Sequence, residues 1–398
     1  MSTSSSLSDI LNALTRCLPA ERPLGLHEPS FEGEEWTYVK ECIDTGWVSS
    51  AGSYVDRFEA VLAEKVGVDH AVAVVNGTSA LHVALQVAGV ESGDEVIVPA
   101  LTFVATANAV SYCGAVPHFA DSERETLGLD PERLDGYLDG VLKNGSDGPV
   151  NRHTGRPVRA IVPVHTFGHP VDMDPLLEVA RRYDLAVVED AAEALGSRYR
   201  GGPVGRQGDL AILSFNGNKT VTTGGGGAIL TDDADLADEA RHLTTTAKVN
   251  DRRDYFHDRI GYNYRLPNLN AALGCAQLEK LPDLIERKRQ LARRYRASFR
   301  GVQGAHMLEE PPFARSNYWL NALILDPCRA GERSALLDAA SERGIEARPA
   351  WTLLADLPMY RDCPQMDLSM ARSLQRRIVN VPSGASLAPD PVGAESTP

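Results

Sequence analysis

Long apolar runs are missing from this sequence. None approaches the roughly 18 residues that a membrane span requires, so no helical membrane anchor is expected. Basic residues are outnumbered, with 40 Lys and Arg against 54 Asp and Glu and a formal net charge of −14 at pH 7. A surface of that sign repels polyanions, and no nucleic-acid partner is expected. Cysteine is sparse: the six residues Cys17, Cys42, Cys113, Cys275, Cys328 and Cys363 include no C-x-x-C pair. That leaves neither a disulfide framework nor a zinc knuckle, and the thiols are expected to be reduced and mostly structural. The opening MSTSSSLSDI has neither the basic nor the apolar region of a secretory leader, and a cytoplasmic location is expected.

Several catalytic signatures are absent too. Without G-x-x-x-x-G-K-[ST] or a strand-linked G-x-G-x-x-G, a P-loop nucleoside triphosphatase and a Rossmann dehydrogenase are set aside. No H-E-x-x-H and no G-x-S-x-G nucleophile elbow occurs. His165 and His169 in VHTFGHP have i, i+4 spacing, but Gly168 and Pro170 argue for a loop, and no metal is expected there.

What is present is alternation. From Ala71 onward a short apolar stretch, a small or glycine-rich turn and a helically spaced segment recur, which is the α/β pattern. AVAVV reads as a buried strand, NGTS as a turn and ALHVALQVAGV (80–90) as a helix; DEVIVPA, RAIVPVH, DLAVVED, DLAILSF and GAILTD read as further strands. PLLEVARRYDL is a helix with Pro175 in its first turn. Residues 278–301 form a long amphipathic helix able to bridge two domains, with Arg287, Lys288, Arg289, Arg293, Arg294 and Arg296 expected on a solvated face. The expected organisation is an N-terminal extension (1–25), a large domain (26–245), a smaller α/β domain with the bridging helix (246–386) and a loose tail (387–398).

Asp190 ends the strand LAVVED, and a carboxylate at the carboxyl end of a parallel strand faces the crevice where α/β proteins bind ligands. Lys219 lies further on in SFNGNKTVTTGGGG, a small, glycine-rich setting. Taken singly, the first reads as a helix N-cap and the second as a loop lysine. Together they suggest pyridoxal phosphate, whose Schiff base needs a lysine and whose ring nitrogen is kept protonated by an aspartate. The turn Asn76-Gly77-Thr78-Ser79, leading from strand to helix, offers backbone N–H groups, two hydroxyls and a positive dipole end to the phosphate.

These segments, with TGWVSSAGSYVDRFE, GDEVIVPALTFVATANAVSYCGAVPHF, GYNYRLPNLNAALGCAQLEKL and ARPAWTLLADLPMYRDCPQMDLS, resemble the DegT/StrS family of sugar aminotransferases. SFNGNK and the last segment are most similar to its LegC-like subgroup. The resemblance implies a fold-type I aminotransferase: a large mixed, mainly parallel sheet domain, a smaller C-terminal domain, and a homodimer with shared active sites. It assigns Lys219 to the Schiff base and Asp190 to the ring nitrogen. Thr78, Ser79 and Ser214 go to the phosphate, and Phe103 to stacking on the ring. Asn263 goes to the phosphate of the neighbouring subunit's site. Glu193 stands where histidine or glutamine is common and joins the cofactor site with its role open. His165, Arg265, Arg348 and Trp351 are candidates for substrate contact, or else for packing and ion pairs.

The implied reaction moves an amino group from an amino acid, by family habit glutamate, through pyridoxamine phosphate to a nucleotide-activated keto sugar. The subgroup points to a 4-keto-6-deoxy-N-acetylhexosamine on UDP or GDP. A 3-keto sugar or keto-cyclitol is the alternative acceptor. A sugar dehydratase is disfavoured because that branch replaces the lysine with histidine, and a non-catalytic regulatory protein would be expected to lose part of the constellation.

Overall fold

The computed structural model describes residues 6–146, 148–249 and 254–388, so all of the expected tail beyond 388 lies outside the described residues. Seven strands form the main sheet, in the order His70–Val74, Gly227–Thr231, Leu210–Ser214, Ala186–Asp190, Val158–Ile161, Glu95–Pro99, Val116–Ala120. Gly227–Thr231 runs against both its neighbours, and the remaining pairs are parallel. Every strand read from the sequence is present. The added one, Val116–Ala120, carries Pro117 and has a single strand partner, Glu95–Pro99. Proline has no N–H to donate to a ladder, which breaks the strand pattern in the sequence and suits a strand with one partner.

Two helices begin earlier than their periodicity suggests. The first runs Gly77–Val87, because Asn76, in extended conformation, accepts the Ser79 N–H at 2.7 Å and so caps the helix three residues before Ala80. The long helix runs Asn268–Phe299 and carries Pro282 in its interior. Its basic residues are not uniformly solvated: Arg287 and Lys288 are 5% and 1% exposed, and Arg289 is engaged by Glu310 at 2.7 Å. The solvated-face expectation is corrected at those positions. Helical spacing alone does not show that two sides of the helix are covered.

A second, smaller core lies on a four-stranded antiparallel sheet, ordered Ala305–Met307, Asn321–Leu325, Ile378–Val381, Arg348–Pro349. Leu323, Leu325 and Val381 from this sheet pack with Leu291 and Tyr295 of the long helix and with Ile10 and Leu14 of the helix Leu7–Arg16. That helix starts at a capping box, in which Ser6 accepts the Asp9 N–H and Asp9 accepts the Ser6 N–H. The long helix lines both cores, with Leu278, Leu281 and Leu284 in the larger one. Among the described residues no helix is long and apolar enough to cross a membrane.

Candidate active site

The carboxyl ends of the adjacent strands Ala186–Asp190 and Leu210–Ser214 open into a cavity of about 370 Å³. Its wall brings together Gly77, Thr78, Phe103, Asp190, Glu193, Ser214, Lys219, Trp319 and Trp351, residues drawn from six separate stretches of the chain. Strand ends in a doubly wound sheet are where such proteins hold ligands.

One side of the cavity is a helix N-terminus. A Cβ placed on Gly77 would lie 2.9 Å from Ser214 Cβ, and one on Gly227 would lie 2.5 Å from the Asn76 carbonyl carbon and oxygen. Glycine at both positions lets the first turn of Gly77–Val87 approach the end of the neighbouring strand, leaving its N–H groups beside the hydroxyls of Thr78 and Ser214. That donor set fits a phosphate.

Asp190, also on the cavity wall, is 7% exposed. Its Oδ2 accepts the Thr106 hydroxyl at 2.9 Å and its Oδ1 the Ala192 N–H at 3.2 Å. Burial pushes this carboxyl above the ordinary aspartate range, against the pull of the Thr106 bond and of the Lys219 charge. A buried carboxylate of this kind is stabilised by a positive partner, and a protonated pyridine nitrogen fits that need.

Lys219 follows the strand in a short turn, its N–H on the Asn216 carbonyl at 2.9 Å. Its Nζ lies 3.6 Å from Glu193 Oε1 and 3.8 Å from the centre of the Trp319 ring. Burial pushes the amine below the ordinary lysine range, and the charges of Glu193 and Asp190 oppose that shift. Glu193 Oε2 accepts the Phe167 N–H at 2.7 Å and so braces a residue whose φ of 56° and ψ of 16° lie in the left-handed region. Burial raises the Glu193 carboxyl to about 7.

A family model described as the DegT/DnrJ/EryC1/StrS aminotransferase family matches residues 29–394. The chain belongs to that family. It is a pyridoxal-phosphate-dependent aminotransferase of fold type I. It is 39% identical over 367 residues to the GDP-perosamine synthase of Escherichia coli O157:H7, covering 92% of this chain and 95% of that one. The GDP-perosamine synthase of Vibrio cholerae is 37% identical over 368 residues, with 92% and 95% covered. Among solved structures, the aminotransferase TlmJ from Streptoalloteichus hindustanus superposes with a TM-score of 0.82 at 27% identity, covering 92% and 94% of the two chains.

The aminotransferase does not bring every expected residue into this cavity. Ser79 is 8% exposed and is not part of the cavity wall. His165 is fully buried with both ring nitrogens used: Nε2 meets Glu189 Oε2 at 3.0 Å and Nδ1 accepts the Val171 N–H at 3.1 Å. The second bond fixes the ring proton on Nε2, so no face of the imidazole is left for a substrate. Arg265 is held by Glu59 at 2.7 Å and by the Ala73 carbonyl at 3.1 Å. Arg348 is exposed and pairs with Glu346 at 2.8 Å. Asn263 is exposed and is not part of this chain's cavity wall. Trp351 does line the cavity, its ring 4.9 Å from Phe167 and 6.5 Å from Phe103.

Sequence reasoning missed Thr106, Asn216, Asn218 and Trp319, all on the cavity wall. The two asparagines lie inside the very segment SFNGNK and were legible by position. Thr106 and Trp319 carry no local signal, because each is brought in by the fold.

The raised Glu193 carboxyl makes stability depend on pH. Ionisation is disfavoured in the folded state, so the cofactor-free protein loses stability as pH rises from about 4.5 to about 7. Glu193→Gln keeps an acceptor for Phe167 and removes the ionisation. Chemical denaturation of the cofactor-free protein at pH 5 and pH 8 is expected to show the variant gaining on the parent at pH 8, by on the order of 3 kcal/mol. An equal difference at both pH values would contradict this reading.

Proposed function

We propose that this aminotransferase moves the amino group of glutamate onto a nucleoside-diphosphate-linked 4-keto-6-deoxy hexose, with GDP as the nucleotide. The observation that carries the reading is one cavity in which a lysine amine, a buried aspartate and a helix-terminal anion site share a wall. The names of the relatives in Escherichia coli and Vibrio cholerae support GDP and an amino sugar product.

In this reading the helix start, Thr78 and Ser214 would hold the phosphate, Phe103 would serve the ring and Asp190 its nitrogen. Pyridoxal phosphate, when bound, supplies an electron sink for the pair left when a substrate C–H bond breaks. Lys219 Nζ accepts the proton from that carbon and returns it in the second half-reaction. Its lowered proton affinity favours the free amine that this task needs. Asp190 contributes electrostatically, as a charge already in place with no reorganisation required.

The test is a panel of GDP- and UDP-linked 4-keto-6-deoxy hexoses, with and without a 2-N-acetyl group, beside a 3-keto sugar and a keto-cyclitol. Each is incubated with glutamate and the amino product read by mass spectrometry. The GDP-linked 4-keto sugar is expected to lead in kcat/KM by at least about tenfold. Preference for the UDP-linked N-acetyl sugar or for a 3-keto acceptor would overturn the proposal.

We further propose a cytoplasmic homodimer in which Asn263 serves the partner's phosphate site. Trp36, Trp47, Tyr255 and Ile260 are 78%, 60%, 87% and 83% exposed, which is apolar surface that a second copy would cover. Asn263→Ala and Lys219→Ala subunits, each inactive alone, are expected to recover activity when mixed, since one site of each heterodimer holds both intact residues. No recovery in verified heterodimers would count against the shared site.

A further inference from the structure

The long helix carries a lysine in an unusual place. Lys288 is 1% exposed, and among the described residues no carboxylate lies within ion-pair range of it. Its Nζ reaches three groups: the Ser383 carbonyl at 2.6 Å, His27 Nε2 at 2.8 Å and the Trp319 carbonyl at 3.1 Å. With the bond to Cε, those contacts use all four directions of the nitrogen. Burial pushes Lys288 well below the ordinary lysine range, and His27 is pushed down by burial and then by the neighbouring Lys288 charge. An apolar residue would fill this volume without that cost, so the amine is best explained by what it holds in place.

It holds Trp319. The indole lies over Lys219 Nζ, and its Nε1–H donates at 2.7 Å to the carbonyl of Asn218, the residue before that lysine. The Trp319 N–H donates at 2.8 Å to Asn317 Oδ1, and Asn317 Nδ2 donates at 2.9 Å to the Glu193 carbonyl. Lys288 adds the link from this framework to the N-terminal arm at His27 and to the turn at Ser383, whose N–H in turn bonds the Leu26 carbonyl at 2.7 Å. Four stretches distant in sequence thus meet behind the ring that covers the amine.

We propose that Lys288 is a positioning residue of the amination site: by clamping the Trp319 carbonyl to the N-terminal arm and the Ser383 turn, it holds the indole against the Lys219 amine. The clamp itself is independent of the proposed substrate, while its effect on rate rests on Lys219 being the working amine.

Lys288→Met keeps the length and apolar stem and removes the three contacts. The first measurement uses cofactor-free protein in which Trp36, Trp47 and Trp351 are phenylalanine, so that of the four tryptophans only Trp319 emits. With Lys288→Met its emission is expected to shift to the red, and acrylamide quenching to rise by at least about threefold, as the ring gains access to water. Unchanged emission and quenching in a folded variant overturn the clamp.

The second measurement is the rate of the glutamate half-reaction in the holoenzyme. Lys288→Met and Trp319→Leu are each expected to lower kcat by about 10- to 100-fold with little change in KM, the size of effect a small misplacement of a reacting group produces. The double variant should lose no more than either single one, because both act through the same ring. Additive losses overturn the proposal. Altered quenching with an unchanged rate in both single variants would show that Lys288 holds the indole but that the indole does not position the amine, and so overturns the positioning role. Should Lys288→Met not fold, Lys288→Gln, which keeps a donor of shorter reach, is read by the same two measurements.

Discussion

Lys219→Ala is expected to abolish transamination while leaving the fold intact. The loss should exceed the roughly 10²- to 10⁴-fold that general acid–base catalysis alone contributes, because the same nitrogen is proposed to carry the cofactor covalently and to move the substrate proton. Neither neighbour can substitute. Glu193 is 3.6 Å from the amine but is braced on the Phe167 N–H, and Asp190 is held by Thr106 and Ala192. Single-turnover absorbance with glutamate checks this, with borohydride trapping and peptide mapping to show which lysine is labelled in the parent. Full turnover by the variant, or a label elsewhere in the parent, would remove Lys219 from the mechanism. The fold should survive because the side chain points into a cavity rather than into the core, and loss of a buried amine relieves its desolvation.

The second large effect is expected at Asp190, and there activity and stability should move in opposite directions. Asp190→Asn keeps the shape: its carbonyl can accept the Ala192 N–H, and its amide can donate to the Thr106 hydroxyl. What it loses is the charge facing the proposed ring nitrogen, and a fall in kcat of about 10²- to 10³-fold is expected, the size found for removing one preorganised electrostatic group. In the cofactor-free protein the same charge is a burden. Its folded proton affinity lies above the ordinary value of 3.8, so ionisation disfavours folding progressively as pH rises from about 3.8 through the raised folded value. Above that window the asparagine variant should therefore unfold at a higher denaturant concentration than the parent, and below about pH 3.8 the difference should vanish. A variant that is both less active and less stable at pH 7 would show that Asp190 serves the fold instead of the cofactor. Such a trade of stability for function is common where a site keeps a buried charge ready for its ligand.

Much of the site was legible because its parts are local. A strand closing on Asp190, a strand closing on Ser214, and an N-G-T turn opening a helix are each written within a few adjacent residues. Their convergence follows once the sheet is parallel, since parallel strands put their carboxyl ends on one edge. The β–α alternation was legible for the same reason, whereas the helix Leu7–Arg16 went unread in the N-terminal extension although its capping box of Ser6 and Asp9 is local.

What the sequence alone determined was therefore the class of fold, the cofactor chemistry and the residues at strand ends and turns. The tertiary structure decided which side chains remain available. His165 looked reachable until Glu189 and the Val171 N–H took both its nitrogens, and Arg265 until Glu59 engaged it. Lys288 looked solvated until the arm at His27 and the turn at Ser383 closed over it. Trp319 had no signal at all until long-range packing set it on Lys219. The physical reason is common to all four. Burial and hydrogen-bond saturation depend on contacts between residues distant along the chain, whereas helical periodicity and turn chemistry are set by immediate neighbours.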